Sequence, residues 1–272
     1  MGSIEGALRL TLLALLLQPV GDWRIRPAAL ALAALGVLLP GWYRSPWLWG
    51  ALAVLTGLRV VLDWPMADNH AYLLCWWCVA ITVSLSGVAG DAGRVLAFDA
   101  RLLVGLVFAF ATMWKVALAP DFLDTRLLRL TLITDTRFAR VATSVAGLDP
   151  PQLLALRSFV SQHVDGPSVA TEPPEQPERL RRVAGVATAW TAVVEAAVAI
   201  AFLCPVGWRA SRWRDGCLLA FALSVYPVVP VAGFGWLLLA QGFAQAEHRW
   251  ARRAYVAAFA GLILFRGIMP TW

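Results

Sequence analysis

Apolar runs alternate along the chain with short breaks rich in Gly, Pro, Asp and Arg, and the breaks cut out nine helical segments. They cover 8–19, 27–39, 47–62, 70–87, 102–119, 183–204, 217–229, 231–245 and 255–265. Pro46, in "YRSP", suits a first-turn position, where a missing N–H costs no helical bond. Segments 217–229 and 231–245 are separated only by "PVVPVAGFG", which predicts either one bent passage or a tight hairpin. Spans shorter than about 17 residues need tilt, local thinning or extension into flanking aromatic residues.

One segment breaks this rhythm. "DTRLLRLTLITDTRFARVATSVAGL" carries Arg126, Arg129, Asp135, Arg137 and Arg140 at intervals that divide an amphipathic helix and would not fill a spanning one. It is expected to lie at an interface or to form a re-entrant element against the preceding span. Residues 149–182 are then the longest polar connection, an extramembrane loop whose "TEPPEQPE" end is expected to be loosely ordered.

Composition fixes the solvent these segments meet. Hydrophobic residues make up 60% of the 272 and charged residues 15%, with a mean hydropathy of +0.67, whereas a soluble domain carries about 25% charge. The expected fold is all-α, a single polytopic integral-membrane helical bundle over 1–272 with an amphipathic or re-entrant helix after the lysine-bearing span. Fourteen Trp against four Tyr suit headgroup-level belts. The net charge of +6 is accounted for by basic loops facing anionic lipid, so membrane lipid is an expected partner and nucleic acid is not. The N-terminal stretch carries Glu5 and lacks a small-residue cleavage site, and it is read as a first short membrane segment in place of a signal peptide. Three arginines in "WRASRWR" at 208–214 and three in "EHRWARR" at 247–253 fall on one face, the cytoplasmic one, if 217–245 is a hairpin.

Few ionisable residues lie near the apolar runs. Lys115 follows about three turns of apolar helix, with four residues between it and Pro120. A lysine at that depth is either a base with a destabilised ammonium or a snorkelling side chain whose amine reaches headgroups. Glu195, in "WTAVVEAAVAIAFL", has apolar neighbours on every helical face. It is protonated, paired with a cation such as Lys115, or open to an internal cavity. In "DWPMADNHAYLLCWW", Asn69 suits a helix cap and Asp68 the positive dipole end. The other reading has His70 and Tyr72 orient a substrate head group. Cys75 and Cys78 share one helical side and are read as packing thiols or a redox pair. No metal site is expected.

"DNHAYL", then "VFAFATMWKVALAPDFLD", then "AWTAVVEAAVAIAFL" resemble, in order and spacing, the horizontally transferred transmembrane domain of the vitamin K-dependent gamma-carboxylase superfamily, over about 45–265. The resemblance implies that Lys115 matches the family's catalytic membrane lysine, Asn69, His70 and Tyr72 its Asn-His-aromatic motif, and Glu195 its later acidic residue. Catalysis would fall to Lys115, His70 and Glu195, and substrate binding to Asn69, Tyr72, Asp68 and Trp114. The implied cofactor is a reduced quinone resembling vitamin K hydroquinone, with O2 and CO2 where carboxylation is retained; the lysine ionises the quinol and the oxygenated product removes a glutamyl proton. "TMWK" and "PDFLD" replace the family's aromatic and glycine surroundings of the lysine, and "AFALSVYP" lacks a histidine that relatives often place there. Within the 272 residues no counterpart of the large extracytoplasmic portion of carboxylases is expected, which makes an accessory or partner-dependent enzyme the expectation. The implied function is a membrane enzyme, expected in a bacterial cytoplasmic membrane, acting on a quinol or an exported peptide with a partner protein; the alternative is a non-enzymatic assembly, peptide-maturation or transport component.

Overall fold

The computed structural model describes residues 3–18, 21–88, 90–165, 176–228 and 231–268. Among these, every regular element is helical. Nine of the helices coincide with the nine apolar runs: α1 (Ser3–Leu17), α2 (Arg26–Leu38), α3 (Pro46–Leu62), α4 (Asn69–Leu85), α5 (Ala92–Met113), α10 (Glu178–Leu203), α11 (Arg214–Val225), α12 (Ala232–Gln245) and α13 (Arg249–Ile268). Two reach lengths and hydropathies sufficient to cross a membrane: α5 with its continuation, Ala92–Leu118, and α10. Local chemistry sets several boundaries. Pro46 stands in the first turn of α3, and the Asp91 side chain accepts the amides of Gly93 and Arg94 to start α5.

The long helices run alternately up and down, so the ends of the bundle can be named by their charges. At one end, the lysine end, Arg59 joins α3 to the turn before α4 through Asp63, at 3.2 Å, and Asp68, at 3.6 Å. At the other, the arginine end, Arg101 of α5 donates to the carbonyls of Phe202, at 2.7 Å, and Cys204 beyond α10. Lys115 and Glu195 meet nearer the lysine end, which makes α5 and α10 antiparallel. The α11–α12 pair is a hairpin, since Asp215 at the start of α11 accepts from Gln245 at the end of α12, at 2.6 Å. This brings both arginine-rich loops to one end, where Arg214 pairs with Glu247 at 2.7 Å.

A single large core joins α1–α5 and α10–α13, with Trp49, Trp77, Trp236 and Tyr255 among its fully buried side chains. Buried Trp77 donates its indole N–H to Thr11 at 2.9 Å, and Thr11 donates to the Ala7 carbonyl at 2.9 Å, tying α4 to α1. The outward faces of α3, α5 and α10 stay apolar, as Val54, Val61, Phe110, Val186, Val193 and Ile200 show.

Beyond the lysine the chain departs from the sequence reading. In place of one amphipathic helix it forms α6 (Pro120–Leu123), α7 (Arg126–Thr134), a 3-10 turn and α8 (Ala139–Ser144). The expected polar connection over 149–182 contains a further helix, α9 (Pro150–Asp165), and its C-terminal residues already belong to α10. Leu132, Ile133, Phe138, Ala142, Leu153 and Leu156 form a separate small core with Leu180 and Ala184 of α10. Apolar residues sufficient to nucleate that core were present in 149–182, but the proline- and glutamate-rich stretch beside them masked the signal. Much of "TEPPEQPE" lies outside the described residues.

Gly242 shows how tightly α12 seats against its neighbours. A Cβ there would lie 2.6 Å from Cζ of the fully buried Tyr255 ring and 3.0 Å from Leu218. The ring cannot swing aside while its hydroxyl bonds to Asp215 at 2.9 Å. Gly242→Ala should therefore lower stability by about 1–3 kcal/mol. Gly185→Ala on α10, where no atom lies within 4 Å, should be neutral or stabilising, and thermal unfolding of the two variants checks the contrast.

Candidate functional site

Pro120 shapes the surroundings of Lys115. A proline has no N–H for the carbonyl four residues earlier, and its ring crowds that carbonyl. The last turn of α5 accordingly widens into a π-helical turn, Trp114–Leu118, and Ala119 leaves the helix at φ −122° and ψ 78°. Such turns occur often at functional positions. Here the turn carries Lys115, and the next helix, α6, folds back over it with Phe122 buried beneath.

The amine turns inward. Lys115 Nζ donates to Glu195 Oε1 in a charge-assisted bond, and it lies 5.4 Å from the centroid of the Phe122 ring. The Lys115 side chain is 22% exposed and that of Glu195 8%, so the pair is largely withdrawn from solvent. Of the readings open for Glu195, the structure shows the pairing with Lys115, and the lysine amine points to that carboxylate. Desolvation alone would make each charge costly, and the geometry offsets this by giving each the other as partner. The offset is incomplete, because Glu195 Oε2 is buried without a hydrogen-bond partner. Thr112 Oγ1, three residues before the lysine, and Thr188 Oγ1, on α10, are also buried and unpartnered.

The Asn-His segment sits at the same end of the bundle as the lysine. It does not join the pair directly: among the described residues, no hydrogen bond or ion pair links Asp68, Asn69, His70, Tyr72 or Trp114 to Lys115 or Glu195. The cap is displaced by one residue from expectation. Asp68, not Asn69, is the N-cap of α4, and its side chain accepts the Ala71 amide at 2.8 Å. Asn69 is exposed and Tyr72 half-buried, and Trp114 is 61% exposed on the outer face. His70 instead packs against Phe234 of α12, with ring centroids 4.2 Å apart and the planes tilted by 45°.

That contact begins a file of aromatic rings that sequence reasoning missed. Phe234 lies 6.5 Å from Tyr226, Tyr226 5.6 Å from Phe221, and Phe221 4.6 Å from Phe108 of α5. Tyr226 is the member closest in kind to the site: its hydroxyl is buried and unpartnered, and it lies within electrostatic reach of Glu195. The visible signal was a lone tyrosine before Pro227 in "AFALSVYP", in a stretch read only for its missing histidine.

A second polar cluster, also unanticipated, holds the arginine end. Buried Asp215 accepts from Gln245 at 2.6 Å and from Tyr255 at 2.9 Å, and Arg214 bonds to Ser211 at 3.2 Å and to Glu247 at 2.7 Å. Cys75 and Cys78 are free thiols; Cys78 is fully buried and Cys75 faces the Ala53 carbonyl at 3.7 Å, as packing residues would.

Removing one member of the central pair should cost more than removing both. Lys115→Met strands the Glu195 carboxylate and should lower stability by about 3–5 kcal/mol, while Lys115→Met with Glu195→Leu should recover much of that loss in a denaturation series. At the cap, the Asp68 carboxyl is held down at about 2, foremost by His70 and against desolvation, with help from the Ala71 amide and Arg59. Because the folded value is depressed from 3.8, this contribution is complete above that pH and is lost as pH falls through about 2. Asp68→Ala should flatten the acid limb of an unfolding titration in that window.

No family model, no curated protein and no solved structure matches the chain.

Proposed function

We propose that the chain is a polytopic membrane enzyme in which Lys115 and Glu195 form a proton-abstracting centre. The observation that carries this reading is the withdrawn Lys115–Glu195 pair, built on a π-helical turn and left with one buried, unpartnered carboxylate oxygen. The up-and-down helices with apolar outer faces support a bundle that crosses the bilayer several times. The short loops of the arginine end, with Arg209, Arg212, Arg249 and Arg253, would face the cytoplasm. The lysine end and the small core of α7–α9 would then face the outer side.

The chemistry follows from the pair. As an ammonium beside a carboxylate, Lys115 is not yet a base. When a substrate covers the site and expels water, the neutral pair gains on the charged one, and the lysine proton passes along the existing hydrogen bond to Glu195. The neutral amine then takes a proton from the substrate, and the resulting ammonium stabilises the anion left behind. His70 and Asn69, at the same end, would orient the substrate.

A reduced quinone fits the residues present. The amine and the free Glu195 oxygen would meet its hydroxyl, and an open apolar groove on the α5–α10 seam, lined by Ala109, Ala199, Ile200, Leu203, Cys204 and Pro205 and running toward the arginine end, would take its tail. When bound, such a quinol supplies the ionisable hydroxyl and, with O2 and CO2, the chemistry of carboxylation. An exported peptide held by a partner protein is the other substrate class for this centre. A purely structural ion pair in an assembly or transport component is the competing reading.

Lys115→Arg separates the two, because arginine preserves the ion pair and does not deprotonate. The reconstituted protein should consume menadiol in the presence of O2, and Lys115→Arg should lose at least about 100-fold in rate while folding normally. Unchanged turnover in that variant would remove the base.

A further inference from the structure

Among the described residues near the pair, Tyr226 is one of three, with Thr112 and Thr188, whose buried hydroxyl has nothing to bond. It is 3% exposed, just beyond the end of α11. Its ring is fixed edge-on by Phe221 and Phe234, both at 87°. Gly235 of α12 gives it room, since a Cβ there would stand 2.8 Å from the ring. One turn away, Trp190 of α10 donates to Ser224 of α11 at 3.1 Å, which pins the Tyr226 helix against the Glu195 helix. The Tyr226 hydroxyl and Glu195 Oε2 are both buried without partners on the two segments that this bond ties together.

A phenylalanine would fill the same ring position and spare the fold a buried hydroxyl that bonds to nothing, so packing gives no account of the oxygen. A donor and an acceptor left open on neighbouring helices are the arrangement that a third group, placed between them, would complete. We propose that Tyr226 is a catalytic residue of the centre: its hydroxyl donates a hydrogen bond to the substrate oxygen that Lys115 deprotonates. The bond strengthens as negative charge develops on that oxygen, so it favours the ionised over the neutral substrate. No proton leaves Tyr226; the substrate proton goes to the Lys115 amine. This assignment rests on the proton-abstracting reading of the pair.

Tyr226→Phe tests it, using menadiol as the probe and protein reconstituted in phosphatidylcholine vesicles under anaerobic conditions. Two quantities are read: the melting temperature, and the pH at which half of the bound menadiol is anionic by its absorbance. A structural hydroxyl would leave the second unmoved. The expected result is a melting temperature equal to or above that of the wild type, with the half-ionisation pH raised by at least one unit, a tenfold loss. A half-ionisation pH equal to the wild type, or a lowered melting temperature, overturns the assignment. Lys115→Arg distinguishes the failure of the underlying reading. If that variant ionises menadiol as the wild type does while Tyr226→Phe does not, Lys115 is no base and Tyr226 remains the donor. Failure of the wild type to ionise the probe removes both.

Discussion

The structure depends on one transaction between two helices: an ammonium and a carboxylate, each untenable alone in an apolar surround, are withdrawn from water together. Lys115 arrives on the widened end of α5 and Glu195 on the middle of α10. Their bond sets the register of the antiparallel pair at one end as Arg101 sets it at the other. Replacing such a pair by apolar residues of similar volume is often neutral or stabilising, so stability alone is a weak reason to keep it. The free oxygen of Glu195 sharpens the point, because a pair selected only for stability would use both oxygens.

The two ends of the bundle handle buried charge differently. At the arginine end, Asp215 is bonded twice, and Arg214 is anchored on Ser211 and Glu247. That cluster closes the α11–α12 hairpin and fixes α13 beside it. At the lysine end, unpartnered atoms gather near the charged pair: Glu195 Oε2, Tyr226 OH and the Thr112 and Thr188 hydroxyls. Arg214 Nε and Gln245 Oε1 are also buried without partners, so open atoms occur at both ends; what sets the lysine end apart is an ion pair with both members withdrawn from solvent, whereas Glu247 at the arginine end is exposed.

Much of the fold was legible because hydropathy reports burial or lipid exposure directly. Each of the nine apolar runs became a helix, and the hairpin was one of two forms that the proline-rich break allowed. The cap missed by one residue, since Asp68 and Asn69 are both good cap formers and only backbone geometry decides between them. The α6–α9 region was less legible because its core is small and shared with α10, so no single segment carries a full apolar face. In the site, Lys115 and Glu195 stood out as charges in apolar company, but their pairing joins residues 80 apart in the chain and has no local signature. Tyr226 was invisible for a different reason: a tyrosine in a membrane-like segment is ordinary until its hydroxyl is found buried and unbonded.

The ionisation state of Glu195 tests the central claim most directly. Infrared difference spectra of the reconstituted protein, wild type minus Glu195→Gln, isolate that carboxyl group. The account predicts a carboxylate band at neutral pH that converts to a protonated-acid band when Lys115 is replaced by Met. A spectrum that is the same with and without the lysine amine would show that the two groups do not share a charge, and would contradict the account.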